Sequence, residues 1–273
     1  MSNQRPPGDP DAADRHDHEV PLPGGIANRG KVVRIGDTVH RPQRATSPAT
    51  HALLHHLERV GFDGAPRFLG VDAHGREILT YIPGTPVIPP YPDWALTDDA
   101  LVSVGKLLRA YHEAAADFDY TPYEWPLSPP RPMAGEVVSH NDPNLDNVVF
   151  RDGRAVALID FDLAAPGSPV WDVAGAARLW APLRAPVDTD DIRRGHELQR
   201  LRVLVDAYGE TDRDHLVDAV VSNHEWMCEL VRDGARRGVP GFAAYWTGQA
   251  QQRADRTRTW LADHTEAMHA ALT

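Results

Sequence analysis

His140-Asn141-Asp142-Pro143-Asn144-Leu145-Asp146-Asn147 is followed, thirteen residues after Asn147, by Asp160 in Leu158-Ile159-Asp160-Phe161-Asp162. The pattern is HxDxxxxN with a later apolar-apolar-Asp. Phosphoryl transfer requires a carboxylate that orients an attacking hydroxyl and takes its proton, together with oxygen ligands for Mg²⁺ bridging nucleotide phosphates. Asp142 fits the first role, and Asn147 and Asp160 fit the second. The intervening VVFRDGRAVALID predicts a hairpin turning at Asp152-Gly153, which brings Asp160 back beside Asn147. Asx side chains that only cap turns would have no reason to be coupled to an aspartate at this spacing. His140 suits a supporting role in the loop better than that of a nucleophile, so transfer is expected to be direct and in line.

Outward from this stretch, residues 1–20 lack apolar periodicity and are expected to form a disordered tail. LPGGIANR, KVVRIG and TVHRP are short β-rich runs separated by Gly, Asn and Asp, predicting an antiparallel meander. A helix is expected over 47–60, with Ser47 as N-cap, Pro48 in the first turn and Leu53, Leu54 and Leu57 on one face. PRFLGVD and REILTYI follow as two strands joined at Ala73-His74-Gly75. The proline-rich run after Gly84 places a boundary between residues 21–84 and 85–273. Beyond it, helices are expected over 97–118, 192–208, 212–232 and 242–272. The expected fold class is α+β: a small antiparallel β-rich N-lobe with one helix and a larger, mainly helical C-lobe.

The 273 residues are 42% hydrophobic and 25% charged, which excludes a fibrous or wholly disordered chain. No apolar run reaches the length of a membrane helix, and the acidic, Pro/Gly-rich start is unlike a signal peptide, so a cytoplasmic protein is expected. Lone Cys228 forms no internal disulfide, and a formal charge of -11 argues against nucleic-acid binding. Residues 21–87 carry eight basic and five acidic side chains, and residues 88–273 eighteen and twenty-nine. That asymmetry suggests an anion held by the first segment and a cationic acceptor by the second. Candidate acceptor contacts are Asp188, Asp190, Asp191, Glu225 and Glu229, with Trp226 or Trp180 as a stacking surface. The i,i+4 pair His51 and His55 lacks the further ligand that zinc needs and reads as solvated or capping. Only two lysines, Lys31 and Lys106, in an Ala/Pro/Gly-rich chain point to a GC-rich bacterial genome. The sequence leaves oligomeric state open.

HNDPNLDNVVF, ALIDFD and the later SPVWDVA resemble the catalytic segment of aminoglycoside phosphotransferases and their choline-kinase-like relatives. The resemblance runs from about Leu22 to the C-terminus. It implies the two-lobed protein-kinase-like fold, ATP or GTP as phosphoryl donor, Mg²⁺, and a small-molecule hydroxyl as acceptor. By the same resemblance, Gly24 and Gly25 form the phosphate-covering turn, and Thr80, Tyr81 and Ile82 pair with the purine. Asp172 braces the catalytic loop, and His112 is structural. Two departures stand out. Arg41 occupies the strand position where the family generally has Lys, and the position of its helix Glu partner falls near Thr50 or His51. An unpartnered arginine there would favour an alternative reading, a catalytically weak nucleotide-binding scaffold. Asn141, where Gly is more usual, is the lesser departure.

Overall fold

The computed structural model describes residues 18–22, 30–209 and 211–273; the expected tail up to residue 17 and the Gly24-Gly25 turn lie outside them. The N-terminal sheet is antiparallel throughout, in the order β1 (Val20–Pro21), β2 (Val33–Ile35), β3 (Thr38–Pro42), β5 (Arg76–Thr80), β4 (Phe68–Val71). Val20, expected as the end of the tail, already pairs with Arg34. The β4–β5 turn closes because Asp72 Oδ1 accepts the N–H groups of His74 and Arg76, while Gly75 takes φ +77°.

Helix α1 (Ser47–Arg59) lies between β3 and β4 and buries Leu53, Leu54 and Leu57. Thr46, not Ser47, holds the N-cap position; Ser47 Oγ instead accepts the N–H of Arg44. The chain leaves the sheet after Thr80, and by β6 (Thr85–Pro86) it pairs with β8 (Val148–Arg151), which continues into β9 (Arg154–Leu158). Between β8 and β9, Asp152 (φ +51°) and Gly153 (φ +73°) form the tight two-residue turn expected there. A two-stranded ladder of β7 (Val137–Ser139) and β10 (Ala165–Gly167) flanks the loop and hairpin.

The C-lobe is built on α2 (Asp98–Ala115), α3 (Pro169–Trp180), α4 (Glu197–Tyr208) and α5 (Arg213–Arg236). Thr97 Oγ1 caps α2 by accepting the N–H of Ala100, and Leu101, Val104, Leu108 and Tyr111 line its buried face. The helix expected from 192 starts only at Glu197, after Gly195 at φ +80°. The single helix expected over 242–272 is three: α6 (Pro240–Tyr245), α7 (Gly248–Asp263) and α8 (Thr265–Leu272). Thr247 adopts extended backbone and caps α7 through Ala250 N–H, so the chain turns there. One core runs from Leu53 and Leu57 through Leu108 and Tyr111 to Trp171 and Trp180, so the two lobes share packing. No helix among the described residues is long and apolar enough to cross a membrane.

Helices α2 and α4 meet at Gly105, where an added Cβ would lie 2.9 Å from Leu204 O and 3.1 Å from Tyr208 N. Backbone cannot yield as a side-chain tip does. Gly105→Ala is therefore expected to destabilise by about 1–2 kcal/mol net of its helix-propensity gain, read as a lowered urea midpoint.

Candidate active site

The loop after β7 is shaped by one buried carboxylate. Asp172, in the first turn of α3, accepts the N–H of His140 at 2.6 Å, the N–H of Asn141 at 2.9 Å and His112 Nε2 at 3.1 Å. Burial works to raise its pKa, but these hydrogen bonds and the nearby imidazoles hold it below the ordinary aspartate value. His112 is completed by Tyr208, whose hydroxyl lies 2.9 Å from Nδ1. Asn141 turns the chain in the left-handed region, φ +63°, which explains how Asn serves where Gly is more usual. Its side chain donates to Leu163 O and accepts Trp171 Nε1, both buried contacts that a glycine lacks.

His140 donates from Nε2 to Ile159 O, which leaves Nδ1 to accept the N–H of Asp142 at 3.3 Å. Burial lowers its pKa, so the ring is a neutral strut. Ile159 N–H donates to Asn147 O at 2.9 Å, so the hairpin delivers the following Asp160, itself at φ +62°, beside the loop. Asn147 Nδ2 donates to both Asp142 O and Asp142 Oδ2, at 3.0 and 2.9 Å. The structure thus brings Asp142, Asn147 and Asp160 together.

Burial raises the Asp142 pKa to about 7, with Asp160 and Asp146 adding to the rise and Arg178 and Asn147 opposing it. Burial raises Asp146 as well, and its Oδ1 is buried without a hydrogen-bond partner. Asn147, with its amide nitrogen fixed toward Asp142, leaves Oδ1 as an acceptor, and Asp160 keeps one oxygen beyond the one bonded to Arg41. No group of three or more His, Cys, Asp or Glu among the described residues is arranged to hold a metal. One amide and one carboxylate beside an orphaned carboxylate oxygen do fit Mg²⁺, which binds few protein ligands and completes its shell with water and phosphate.

Arg41 is not unpartnered. Its Nε donates to Glu77 Oε1, the residue directly opposite on β5, and Glu77 Oε2 pairs with His51 of α1. A strand carboxylate therefore links the arginine to the helix position where the family's Glu is absent. His51, read as solvated or capping, is instead buried in this triad, its ring stacked 3.6 Å from Phe68. Burial opposes the Arg41 charge but is outweighed by Asp162, Asp160 and Glu77. Glu77 is held low by His51 and Arg41 despite its own burial. Arg41 Nη1 reaches Asp160 at 2.9 Å and Nη2 reaches Asp162 at 3.0 Å; Arg44 holds the other Asp162 oxygen at 2.7 Å. Glu77→Gln is expected to lower stability by about 3 kcal/mol, because a buried cation loses a charged partner. It is also expected to raise the Mg²⁺ concentration for half-maximal turnover, as Arg41 then leans on Asp160. Urea unfolding and a Mg²⁺ titration check the two effects separately.

A cavity of about 690 Å³ opens from Asp142, Asp146 and Asp160 toward α5, α6 and α7. Tyr91, Leu183, Phe242 and Trp246 form its apolar wall, and Arg178 and Arg184 face it from the end of α3 and the loop beyond.

The expected acceptor contacts Asp188, Glu225 and Trp226 do not line this cavity. Arg256 grips Asp188 with two nitrogens, Arg258 grips Glu225 in the same way, and Asp191 pairs with Arg193. Glu229 lies 3.8 Å from Arg232. Trp226 packs edge-on to Trp171 and donates to Ser128 O, while Trp180 is buried with its indole N–H on Pro143 O. Four of the five acids behind the expectation of a cationic acceptor thus have arginine partners within the protein, and the fifth, Asp190, is exposed and does not line the cavity.

Of the residues expected at the purine, Thr80 and Tyr81 already donate their N–H groups, to Arg67 O and Asp37 O. Ile82 N–H makes no main-chain hydrogen bond among the described residues. Gly24 and Gly25 lie outside the described residues. Sequence reasoning missed Glu77, Asp146, Asp162, Arg44, Arg178 and Arg184. The alternation of REILT held one usable signal, since it puts Glu77 on the inward face with Leu79, and an inward carboxylate demands a partner.

A family model described as the phosphotransferase enzyme family matches residues 123–208. The chain is 32% identical over 285 residues to the trifolitoxin immunity protein of Rhizobium leguminosarum bv. trifolii, covering 93% of this chain and 98% of that protein. Among solved structures it is similar to a choline/ethanolamine kinase family protein from Mesorhizobium loti, with a TM-score of 0.64, 16% identity and coverage of 97% and 95% of the two chains. It is also similar to aminoglycoside 2'-phosphotransferase-IIIa in a GDP complex, with a TM-score of 0.58, 14% identity and coverage of 91% and 93%. The two-lobed fold expected from the sequence is the fold of these structures.

Proposed function

This chain belongs to the phosphotransferase enzyme family, and from that premise we propose that it transfers the γ-phosphoryl group of ATP or GTP to a hydroxyl of a small molecule. The observation that carries the reading is Asp142, hydrogen-bonded to Asn147 beside Asp160, at the inner end of a cavity large enough for an acceptor. Asp142 orients the acceptor hydroxyl and takes its proton as the oxygen bonds to phosphorus and the bond to the β-phosphate oxygen breaks. Asn147 and Asp160 are the residues that would hold Mg²⁺, which supplies charge neutralisation for the nucleotide phosphates. Arg41, steadied by Glu77, sits against Asp160, where a fixed positive charge favours phosphate. His140 and Asp172 hold the loop in register and touch no reacting atom. The scaffold alternative rested on an arginine lacking its acidic partner, and Glu77 removes that ground.

Similarity to an immunity protein makes toxins a reasonable part of the acceptor search, because phosphorylating a toxin's hydroxyl is one route to immunity. The test is Mg²⁺-dependent turnover of ATP and GTP by the purified chain against panels of hydroxylated metabolites, aminoglycosides and peptide toxins. Acceptor-dependent release of the nucleoside diphosphate is the expected result. Turnover that proceeds equally without any acceptor would assign hydrolysis instead, and failure to bind either nucleotide with Mg²⁺ would sink the kinase reading.

A further inference from the structure

The cavity is divided by charge. Its inner end carries the carboxylates Asp142, Asp146 and Asp160, which metal and nucleotide chemistry accounts for. The side facing α5, α6 and α7 carries Arg178, Arg184, Arg237 and Arg253, and of the lining carboxylates Asp142 acts on Arg178 without forming an ion pair with it. Arg237 and Arg253 are exposed and belong to the mouth. Arg178 and Arg184 are half-buried, and neither forms an ion pair among the described residues. Arg178 donates from Nε to the amide oxygen of Asn223. Arg184 Nε is buried with no hydrogen-bond partner at all. The acids that feel Arg184 are already held: Asp188 by Arg256 at 2.5 and 2.9 Å, with Arg253 at 3.6 Å, and Asp191 by Arg193; Arg178 has Asp142 as a counter-charge but no ion pair with it.

Two guanidinium groups held out of bulk water are costly to a folded protein: burial lowers the proton affinity of both, Arg193 and Arg178 add to the lowering at Arg184, and Asp142 opposes it at Arg178. Elsewhere this chain pairs its buried arginines, as at Arg41 with Glu77 and Arg193 with Asp191. The unpaired two are those that face the cavity. Planar guanidinium forks suit the two oxygens of a carboxylate or a phosphate, and donors left open in the free protein are what an arriving ligand satisfies.

We propose that the acceptor pocket recognises an anionic group, a carboxylate or a phosphate, through Arg178 and Arg184, with the apolar body of the acceptor against Phe242 and Trp246. This rests on the kinase reading for the word acceptor; the anion site itself does not. The hydroxyl then points inward to Asp142 while the anion is held outward, which fixes one end of the molecule and leaves the other to react. The acceptor is thus a hydroxylated acid or a phosphate-bearing alcohol, the reverse of the charge suggested by the acidic composition of the C-lobe.

The test uses the full chain, saturated with Mg²⁺ and a non-hydrolysable ATP analogue so that the phosphate site is filled. At constant ionic strength it is titrated with glycerate, inorganic sulfate, glycerol and choline. Binding is followed on the indole N–H resonance of Trp246, assigned with Trp246→Phe. Glycerate or sulfate should shift the resonance saturably, glycerol and choline should not, and Arg184→Gln and Arg178→Gln should each raise the dissociation constant at least tenfold. Glycerate alone identifies a carboxylate, and sulfate alone a phosphate-like dianion. Unchanged affinity for the nucleotide analogue certifies each variant as folded, and Arg184→Lys, which keeps the charge but not the fork, should bind with intermediate affinity. The proposal is overturned if neither anion shifts Trp246, if Arg184→Gln binds within twofold of the parent, or if glycerol or choline binds as tightly. Anion binding with no nucleotide binding would overturn the kinase reading and leave this site standing; nucleotide binding without anion binding would do the opposite.

Discussion

Asp142→Asn is expected to reduce kcat by about 10²–10⁴-fold while leaving the chain folded and its nucleotide affinity unchanged. Asparagine preserves the shape at this position and can still accept from Asn147 Nδ2, so the loop has no reason to move. What it loses is the capacity to receive the acceptor's proton. The substitution also removes one member of a crowded acidic group, since Asp146 and Asp160 both push the Asp142 pKa upward. Asp142→Asn is therefore expected to unfold at the same urea concentration or a slightly higher one. Steady-state turnover beside urea denaturation checks both parts, and a variant that lost stability and activity together would assign Asp142 to the scaffold.

The second large effect is on stability. Asp172→Ala removes one side chain and strips the acceptor from three buried donors, the N–H groups of His140 and Asn141 and the ring nitrogen of His112. Each buried donor left unsatisfied costs roughly 1–3 kcal/mol. A loss of about 3–5 kcal/mol is expected, a large share of the 5–15 kcal/mol typical of a folded domain. Asp172→Asn restores one acceptor oxygen but turns an NH₂ group toward another donor, so it should recover only part of the loss. The wild-type pH dependence has a definite sign. Asp172 has a folded pKa below its unfolded value near 3.9, so its contribution is complete above that value and is lost as pH falls through the folded one. Glu77 acts in the same direction. Urea midpoints taken from pH 7 downward should therefore fall steeply below about pH 4, and in Asp172→Asn that slope should be shallower.

How much of this was legible depended on the distance in sequence over which a signal acts. The β8–β9 hairpin was readable because Asp152-Gly153 encodes its own turn, and that turn places Asp160 near Asn147 with no help from the rest of the chain. Leu53 and Leu57 and the buried face of α2 were readable because helical spacing is local. The capping of α7 by Thr247 was also local, but reading one helix across residues 242–272 passed over it. The Arg41–Glu77–His51 triad was not legible, because it joins two strands and a helix through residues 26 and 36 apart. The partners of the C-lobe acids were hidden for a related reason. Net charge counts Asp188 and Glu225 as available, whereas Arg256 and Arg258, 68 and 33 residues away, neutralise them. Composition reports how many charges a lobe has; only the fold reports which are left for a ligand.

The pairing of Arg41 has a consequence for biosynthesis. Its bond to Asp160 spans 119 residues, whereas its bond to Glu77 spans 36. At ordinary rates of synthesis, Asp160 emerges from the ribosome roughly 5–15 s after Glu77. During that interval the N-terminal sheet can close around Arg41 with Glu77 as sole counter-charge, so the nascent lobe need not bury a naked cation while it waits for the catalytic hairpin. Asp160 then adds to a cation that already has a partner, while the core that the two lobes share closes only when both are present.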